Sequence, residues 1–108
     1  MVQLIRGVAA SRGRGTGPAR LVVPGKEQPG IHRGDILVVQ NAGPNWTPVL
    51  PLLAGLVLDQ GAIYQHAALI AREYGIPAVI QTQDATTSIK EGQIIAVDGD
   101  IGVVELDP

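Results

Sequence analysis

Short runs of β-branched and other aliphatic residues recur along the whole chain, and each run is bounded by Gly, Pro or Asp. Such runs between turn-forming residues are typical of β-strands. The pattern predicts seven strands, at residues 2–6, 19–23, 36–40, 56–58, 78–81, 93–97 and 102–106. Turns are predicted at Pro24-Gly25, Pro29-Gly30 and Arg33-Gly34-Asp35. Asp98-Gly99-Asp100 carries the Asp-Gly signature of a tight hairpin, so we expect the last two strands to pair antiparallel.

Two segments have the pattern of helices. In residues 46–55, Thr47 suits the N-cap, Pro48 suits the first helical position, and Pro51 keeps the helix short. In residues 66–74 most residues favour helix, and Gly75 followed by Pro77 predicts the end. With no repeat or linker in view, the sequence predicts one domain over residues 1–108, a β-rich α/β fold with two short helices.

Composition narrows the classes of protein that fit. The 108 residues are 45% hydrophobic and 17% charged, with a net charge of −2, which suits a single small globular domain. The absence of cysteine excludes disulfides, zinc-thiolate sites and thiol nucleophiles. Three aromatic residues are too few for a base-stacking platform. No apolar stretch reaches the length of a membrane span and no secretory signal is visible, so we expect a cytoplasmic protein that binds no membrane.

Charge is unevenly distributed along the chain. Residues 1–33 hold six basic residues and one acidic residue, whereas the remaining residues hold two basic and nine acidic. A basic end can attract an anionic ligand, but folded chains often neutralise such an asymmetry internally, and we favour internal pairing. The segment Arg12-Gly13-Arg14-Gly15 is too short for an arginine-rich nucleic-acid tract, so no nucleic-acid partner is expected.

One segment combines a strand, a glycine-containing turn and a histidine that opens a helix. These are residues 59–69, with His66 at the predicted helix start. The first turn of a helix has N–H groups without intrahelical partners and the positive end of the macrodipole, so it favours anions. We expect those donors to be Ala67, Ala68 and Leu69, beside an accessible and nucleophilic imidazole. On these grounds alone, a packing or capping role is the commoner one for such a histidine.

The stretch 61–80 resembles the signature of the phosphohistidine domain of phosphoenolpyruvate-utilising enzymes, and segments 15–20, 34–39, 46–48 and 97–104 follow that family's order. The family includes pyruvate phosphate dikinase, phosphoenolpyruvate synthase, Enzyme I and rifampicin phosphotransferase. The resemblance implies a mobile, swivelling β/β/α domain. It also implies that His66 is the catalytic residue, which is phosphorylated at one active site and carries the phosphoryl group to another.

We expect five residues to stabilise the phosphoryl group, through backbone or side chain: Gly61, Gln65, Ala67, Ala68 and Arg72. Arg72 lies about 240° around the helix from His66, so an ion pair or a carbonyl contact is favoured for it over direct phosphate binding. The family has a pair of small hydroxyl residues before the histidine, where this chain has Tyr64 and Gln65. These substitutions mark either a subfamily with its own partner or a non-catalytic interaction module that has lost phosphotransfer.

Nothing in the sequence supplies a phosphoryl donor. There is no Gly-rich nucleotide loop followed by Lys and no room for a phosphoenolpyruvate-binding barrel. We therefore expect a phosphotransferase component that depends on separate nucleotide- or phosphoenolpyruvate-binding proteins as donor and acceptor. No cofactor and no metal are expected, because Asp98 and Asp100 fit a turn better than a calcium loop, and His32 fits an exposed loop.

Overall fold

A computed structural model of the chain describes residues 3–23, 25, 30–63, 65–106 and 108. Within these residues the chain forms eight strands, two α-helices and two 3-10 turns, at Pro44–Trp46 and Leu50–Leu52. The strands are β1 (Leu4–Arg6), β2 (Val8–Ser11), β3 (Arg14–Val22), β4 (Ile36–Val39), β5 (Gly55–Leu58), β6 (Ala78–Ile80), β7 (Ile94–Asp98) and β8 (Val103–Glu105). The helices are α1 (His66–Tyr74) and α2 (Ala85–Ser88).

The strands follow the order β1-β8-β7-β3-β4-β5-β6-β2, in which β3 is shared by two halves of the sheet. Residues 14–18 of β3 pair antiparallel with β7, and residues 19–22 pair parallel with β4. Strands β4, β5 and β6 continue the parallel set. The two ends of this order, β1 and β2, are separated in the chain by Gly7 alone. The sheet therefore folds over on itself into two layers that share β3.

Alternation along the parallel strands divides the core into two clusters. Successive side chains of a strand point to opposite faces, and here both faces are covered, as in most parallel sheets. One cluster lies between the two sheet layers and includes Ile36, Val38 and Val57. The other contains the alternate residues Leu37 and Leu56, together with three alanines of α1. The architecture is thus sheet, sheet and helix, which confirms the β-rich α/β fold with two helices and the β/β/α layering.

The prediction of a helix at residues 46–55 is wrong. The backbone there makes bonds to the third preceding residue, such as Leu52 N–H to the Val49 carbonyl at 3.0 Å, which form two short 3-10 turns. Pro51 has no N–H to donate, and its ring would clash with the carbonyl four residues earlier in an α-helix. Thr47 is not an N-cap but part of the turn between the two 3-10 segments.

Other boundaries differ from the prediction in informative ways. Strand β3 begins at Arg14 rather than at residue 19, and the prediction missed both β2 and α2. The C-terminal hairpin is antiparallel as predicted, but its loop has four residues, with Gly102 at φ +73°. The carboxylate of Asp98 accepts the N–H of Asp100 in that loop, as a turn role requires. Residue 2 of the first predicted strand and the prolines of the two Pro-Gly turns lie outside the described residues.

Two arginines of the basic N-terminal third are neutralised internally, as predicted. Arg14 donates two hydrogen bonds to Glu105, at 3.1 and 2.9 Å, and Arg20 bridges Asp35 and Glu91 at 3.0 Å each. Hydrogen bonding to Glu105 raises the pKa of Arg14, and hydrogen bonding to Glu91 raises that of Arg20. In the described ranges, neither helix has the length and apolar character needed to cross a bilayer.

We expect Gly15→Ala to destabilise the fold by about 2–3 kcal/mol, because a Cβ there would overlap the Ala54 carbonyl. Urea unfolding of the variant measures this change. Gly43→Ala is the matched control, since its Cβ meets no atom within 4 Å and its φ is −85°. Equal stability of the two variants would contradict the close approach of β3 to the connection before β5.

Candidate functional site

The candidate site lies at the carboxyl edge of the parallel strands β4, β5 and β6. Connections that leave parallel strands at this edge meet one another, and such edges commonly bind ligands. The connection from β4 to β5 carries Thr47, and the connection from β5 to β6 carries His66 at the start of α1. The fold therefore brings together two residues that are 19 positions apart in the chain.

His66 is exposed, and its Nε2 lies 2.9 Å from the hydroxyl oxygen of Thr47. In the neutral imidazole with its proton on Nδ1, Nε2 has a lone pair that accepts the threonine hydroxyl proton. The contact thus ties the ring to the neighbouring connection while the ring stays open to solvent. Sequence reasoning missed this role of Thr47, because the two residues share no local pattern.

The N-terminus of α1 differs in part from the expectation. Leu69 N–H donates to the Gln65 carbonyl at 3.0 Å, so it is not free for an anion, which corrects the assignment of Leu69 as a donor. Within the described part of the chain, the N–H groups of His66, Ala67 and Ala68 reach no acceptor. Ala67 and Ala68 are only 1% exposed and pack into the core. Of these three residues, His66 is exposed, whereas Ala67 and Ala68 are buried.

Gln65 is the N-cap residue, but its side chain does not cap the helix. Its Oε1 accepts the Ala62 N–H at 3.1 Å, and its Nε2 donates to Asn41 Oδ1 at 2.6 Å. Gly61 adopts φ +104°, a conformation that favours glycine, and a Cβ there would crowd the Gln65 side chain. Gly61 and Gln65 thus shape the turn that leads into His66. Tyr64 lies outside the described residues.

Arg72 points away from the candidate site. Its Nε donates to the Ala10 carbonyl of β2 at 2.6 Å, the kind of carbonyl contact that its angular position favours. The side chain also lines a cleft of about 610 Å³ between β2, the end of α1 and the β7–β8 hairpin. Arg72 therefore links α1 to β2, at the opposite end of the helix from the His66 ring.

Two further elements support the segment before His66, and sequence reasoning missed both. Asp59, at the end of β5, is buried and accepts hydrogen bonds from Thr82 and from the N–H and hydroxyl of Thr86. The loop after β6 contains Gln81 and Gln83 at φ +56° and +74°, a region that side chains other than glycine rarely adopt. Positive φ at a glutamine has no signal in a single sequence, and the prediction placed Gln81 in the strand at residues 78–81, whereas β6 ends at Ile80.

Exposed apolar residues lie three positions before and three positions after His66 in the chain. Ile63 and Leu69 are 49% and 50% exposed, and Leu69 lies three residues after His66 on the same face of α1. His32 is an exposed loop residue, as predicted, with a side-chain exposure of 76%. Among the described residues, no three His, Asp or Glu side chains cluster in a way that could hold a metal ion.

The chain belongs to the family of the PEP-utilising enzyme mobile domain, which it matches over residues 31–102. It is 41% identical over 102 residues, 94% of its length, to phosphoenolpyruvate synthase of Aeropyrum pernix. It is also 41% identical over 104 residues, 96% of its length, to rifampicin phosphotransferase of Bacillus cereus. The chain spans 12% of the length of each of these relatives.

A solved structure of Enzyme I supports the same assignment. It matches 72% of this chain and 32% of its own with a TM-score of 0.64 and 28% sequence identity. Together with the family match, this likeness defines a swivelling domain of the phosphotransfer class and confirms the family that the sequence resembles.

We expect Thr47→Val to move the 15N resonance of His66 Nε2 toward that of a ring nitrogen without a hydrogen bond. The variant keeps the side-chain shape but removes the hydroxyl, and its stability should change by less than about 1 kcal/mol because the bond is exposed. NMR of imidazole-labelled protein measures the shift. Thr87→Val removes a hydroxyl of α2 that donates to the backbone carbonyl of Asp84, and it should leave the His66 resonance unchanged. An unmoved resonance in Thr47→Val would refute the contact.

Proposed function

We propose that this domain is a phosphoryl carrier in which Nε2 of His66 is transiently phosphorylated and passes the group between two active sites. The observation that carries the proposal is an exposed imidazole at the N-terminus of a helix, fixed by a hydroxyl at Nε2, in a chain of the PEP-utilising mobile-domain family. Neutral histidine is nucleophilic near pH 7, and it forms covalent intermediates in many transfer reactions.

The proposed step balances without a further reactant. The lone pair of Nε2 attacks the phosphorus of phosphoenolpyruvate or of a nucleotide polyphosphate, and the N–P bond forms. The donor's P–O bond breaks, and its oxygen leaves with the electron pair, while the ring proton stays on Nδ1. The Thr47 hydroxyl rotates from Nε2 to a phosphoryl oxygen, to which it donates a hydrogen bond. Transfer to the acceptor reverses these bond changes.

Stabilisation of the added negative charge is assigned mainly to the start of α1. We assign this role to the backbone N–H of His66, which has no acceptor among the described residues, and to the positive end of the helix dipole at the same terminus. Ala67 and Ala68 contribute through the dipole, since both are nearly fully buried. Gly61 and Gln65 act by shaping the preceding turn, and Arg72 acts by anchoring α1 to β2.

The donor and acceptor sites lie outside the 108 residues. The relatives include a phosphoenolpyruvate synthase and a rifampicin phosphotransferase, of which this chain matches a small part. We therefore assign the domain nucleotide- or phosphoenolpyruvate-binding partners, each of which docks on the exposed face of α1. A small domain with an exposed reactive ring suits the transfer of a phosphoryl group between two such partners.

His66→Ala should abolish phosphorylation and leave the fold intact, because the side chain is exposed and makes one hydrogen bond to the described residues. Wild type and variant are incubated in clarified lysate of the source organism with phosphoenolpyruvate or ATP. Intact mass at alkaline pH then detects the acid-labile adduct. His32→Ala is the matched control, since it removes the other histidine and should keep the adduct.

A single phosphoryl adduct on wild type and His32→Ala, absent from His66→Ala, is the expected result. No adduct with either donor on folded wild type would overturn the carrier proposal. It would instead favour a non-catalytic interaction module, in which Tyr64 and Gln65 mark lost phosphotransfer.

Leu69→Lys should slow adduct formation in the same lysate by about tenfold, the effect of losing one contact worth about 1.4 kcal/mol at an interface. Lysine keeps the helix propensity of leucine, so the fold should be unaffected. Ile94→Lys is the control, because Ile94 is equally exposed at 51% but lies on β7, in the other sheet layer. Equal rates for both variants would exclude Leu69 from the docking face.

A further inference from the structure

Three side-chain amides connect the loops at the carboxyl edge of the parallel strands. Gln81 Nε2 donates to the Gly61 carbonyl at 3.0 Å. Gln65 accepts from Ala62 N–H through Oε1 at 3.1 Å and donates through Nε2 to Asn41 at 2.6 Å. We call Asn41, Gln65 and Gln81 the amide clamp. Its three members belong to the connections that follow β4, β5 and β6, one in each.

Backbone bonds hold the same three connections in register beneath the clamp. Gln60 N–H donates to the Gln40 carbonyl at 3.0 Å, and Gln81 N–H donates to the Gln60 carbonyl at 3.1 Å. The pairing of the parallel strands therefore continues beyond the strand ends, to Gln40, Gln60 and Gln81. The contacts of the clamp add side-chain bonds to this backbone pairing.

Two residues of the loop after β6 adopt a backbone conformation that is unfavourable for residues other than glycine. Gln81 and Gln83 both have positive φ, and non-glycine residues keep such conformations where surrounding contacts fix them, often beside functional sites. Gln81 uses its side chain to hold Gly61, whereas the Gln83 side chain makes no hydrogen bond to any described residue. The two glutamines thus share the backbone conformation but differ in their side-chain contact.

The amide clamp joins the two connections that carry Thr47 and His66. Gln65 directly precedes His66, and Asn41 belongs to the same connection as Thr47, six residues before it. We propose that Asn41, Gln65 and Gln81 are positioning residues that hold the two connections together and so keep Nε2 of His66 against the Thr47 hydroxyl. This inference rests on the proposed carrier function of His66, and it assigns to amides the support that small hydroxyls before the histidine would give.

The test compares Gln81→Met and Gln65→Met with Gln83→Met, each of which keeps the side-chain length and removes the amide. Two quantities are measured: the 15N resonance of His66 Nε2, and the initial rate of adduct formation in lysate with phosphoenolpyruvate or ATP. We expect the first two variants to move the resonance in the direction of Thr47→Val. They should also slow adduct formation about two- to twelvefold, the range for one lost hydrogen bond. Gln83→Met should match wild type in both.

The resonance needs no phosphorylation, so the two proposals can fail separately. Absence of an adduct on wild type overturns the carrier proposal and leaves the resonance to test the positioning. A resonance in Gln81→Met and Gln65→Met that matches Gln83→Met overturns the clamp, whatever the rate. A slower rate with an unmoved resonance assigns these residues to docking and also overturns it.

Discussion

The site depends on one strand that belongs to two sheet layers. β3 pairs with β7 through Pro18 and with β4 from Ala19 onward, so it changes partner between two adjacent residues. Pro18 has no N–H to donate and stands at this change, where a regular ladder is interrupted. Gly15 and Gly17 lie where backbone carbonyls of other segments approach too closely for any Cβ. These small residues let the antiparallel layer fold over one face of the parallel strands and leave the other face to α1.

The helix then fixes the place of the histidine. Three alanines of α1 are buried against the sheet, and their small side chains let the helix lie close to the strands. The N-terminus of α1 consequently sits beside the strand ends, near the connections after β4 and β6. An imidazole in that position has a rigid support on one side and solvent on the other, which is the combination a mobile carrier requires.

Sequence patterns predicted correctly the elements whose bounds depend on neighbouring residues in the chain, such as α1. The bounds of α1 follow from its good helix formers and from Gly75, whose φ of +70° ends the helix. The same reasoning failed at residues 46–55, because cap and proline signals do not distinguish an α-helix from 3-10 turns. It missed α2, which has four residues and depends on the bonds from Thr86 to the buried Asp59, 27 positions away. His66 was singled out by the family resemblance, since its place at a helix start favoured a packing role on its own. Its partner Thr47 could not be found, since their contact arises from strand order.

The fold changes the interpretation of Tyr64 and Gln65, which replace the family's pair of small hydroxyl residues. Sequence alone places Tyr64 and Gln65 next to the histidine and suggests that the site has lost its hydroxyls. In the fold, a hydroxyl reaches Nε2 from Thr47 on another connection, and Gln65 turns its amide toward Asn41 instead of the ring. Phosphotransfer through a histidine requires a fixed ring and a hydrogen-bond donor for the phosphoryl oxygens, and neither depends on which residue precedes the histidine. Divergence at these two positions is therefore compatible with a working carrier, provided that the neighbouring connections supply both.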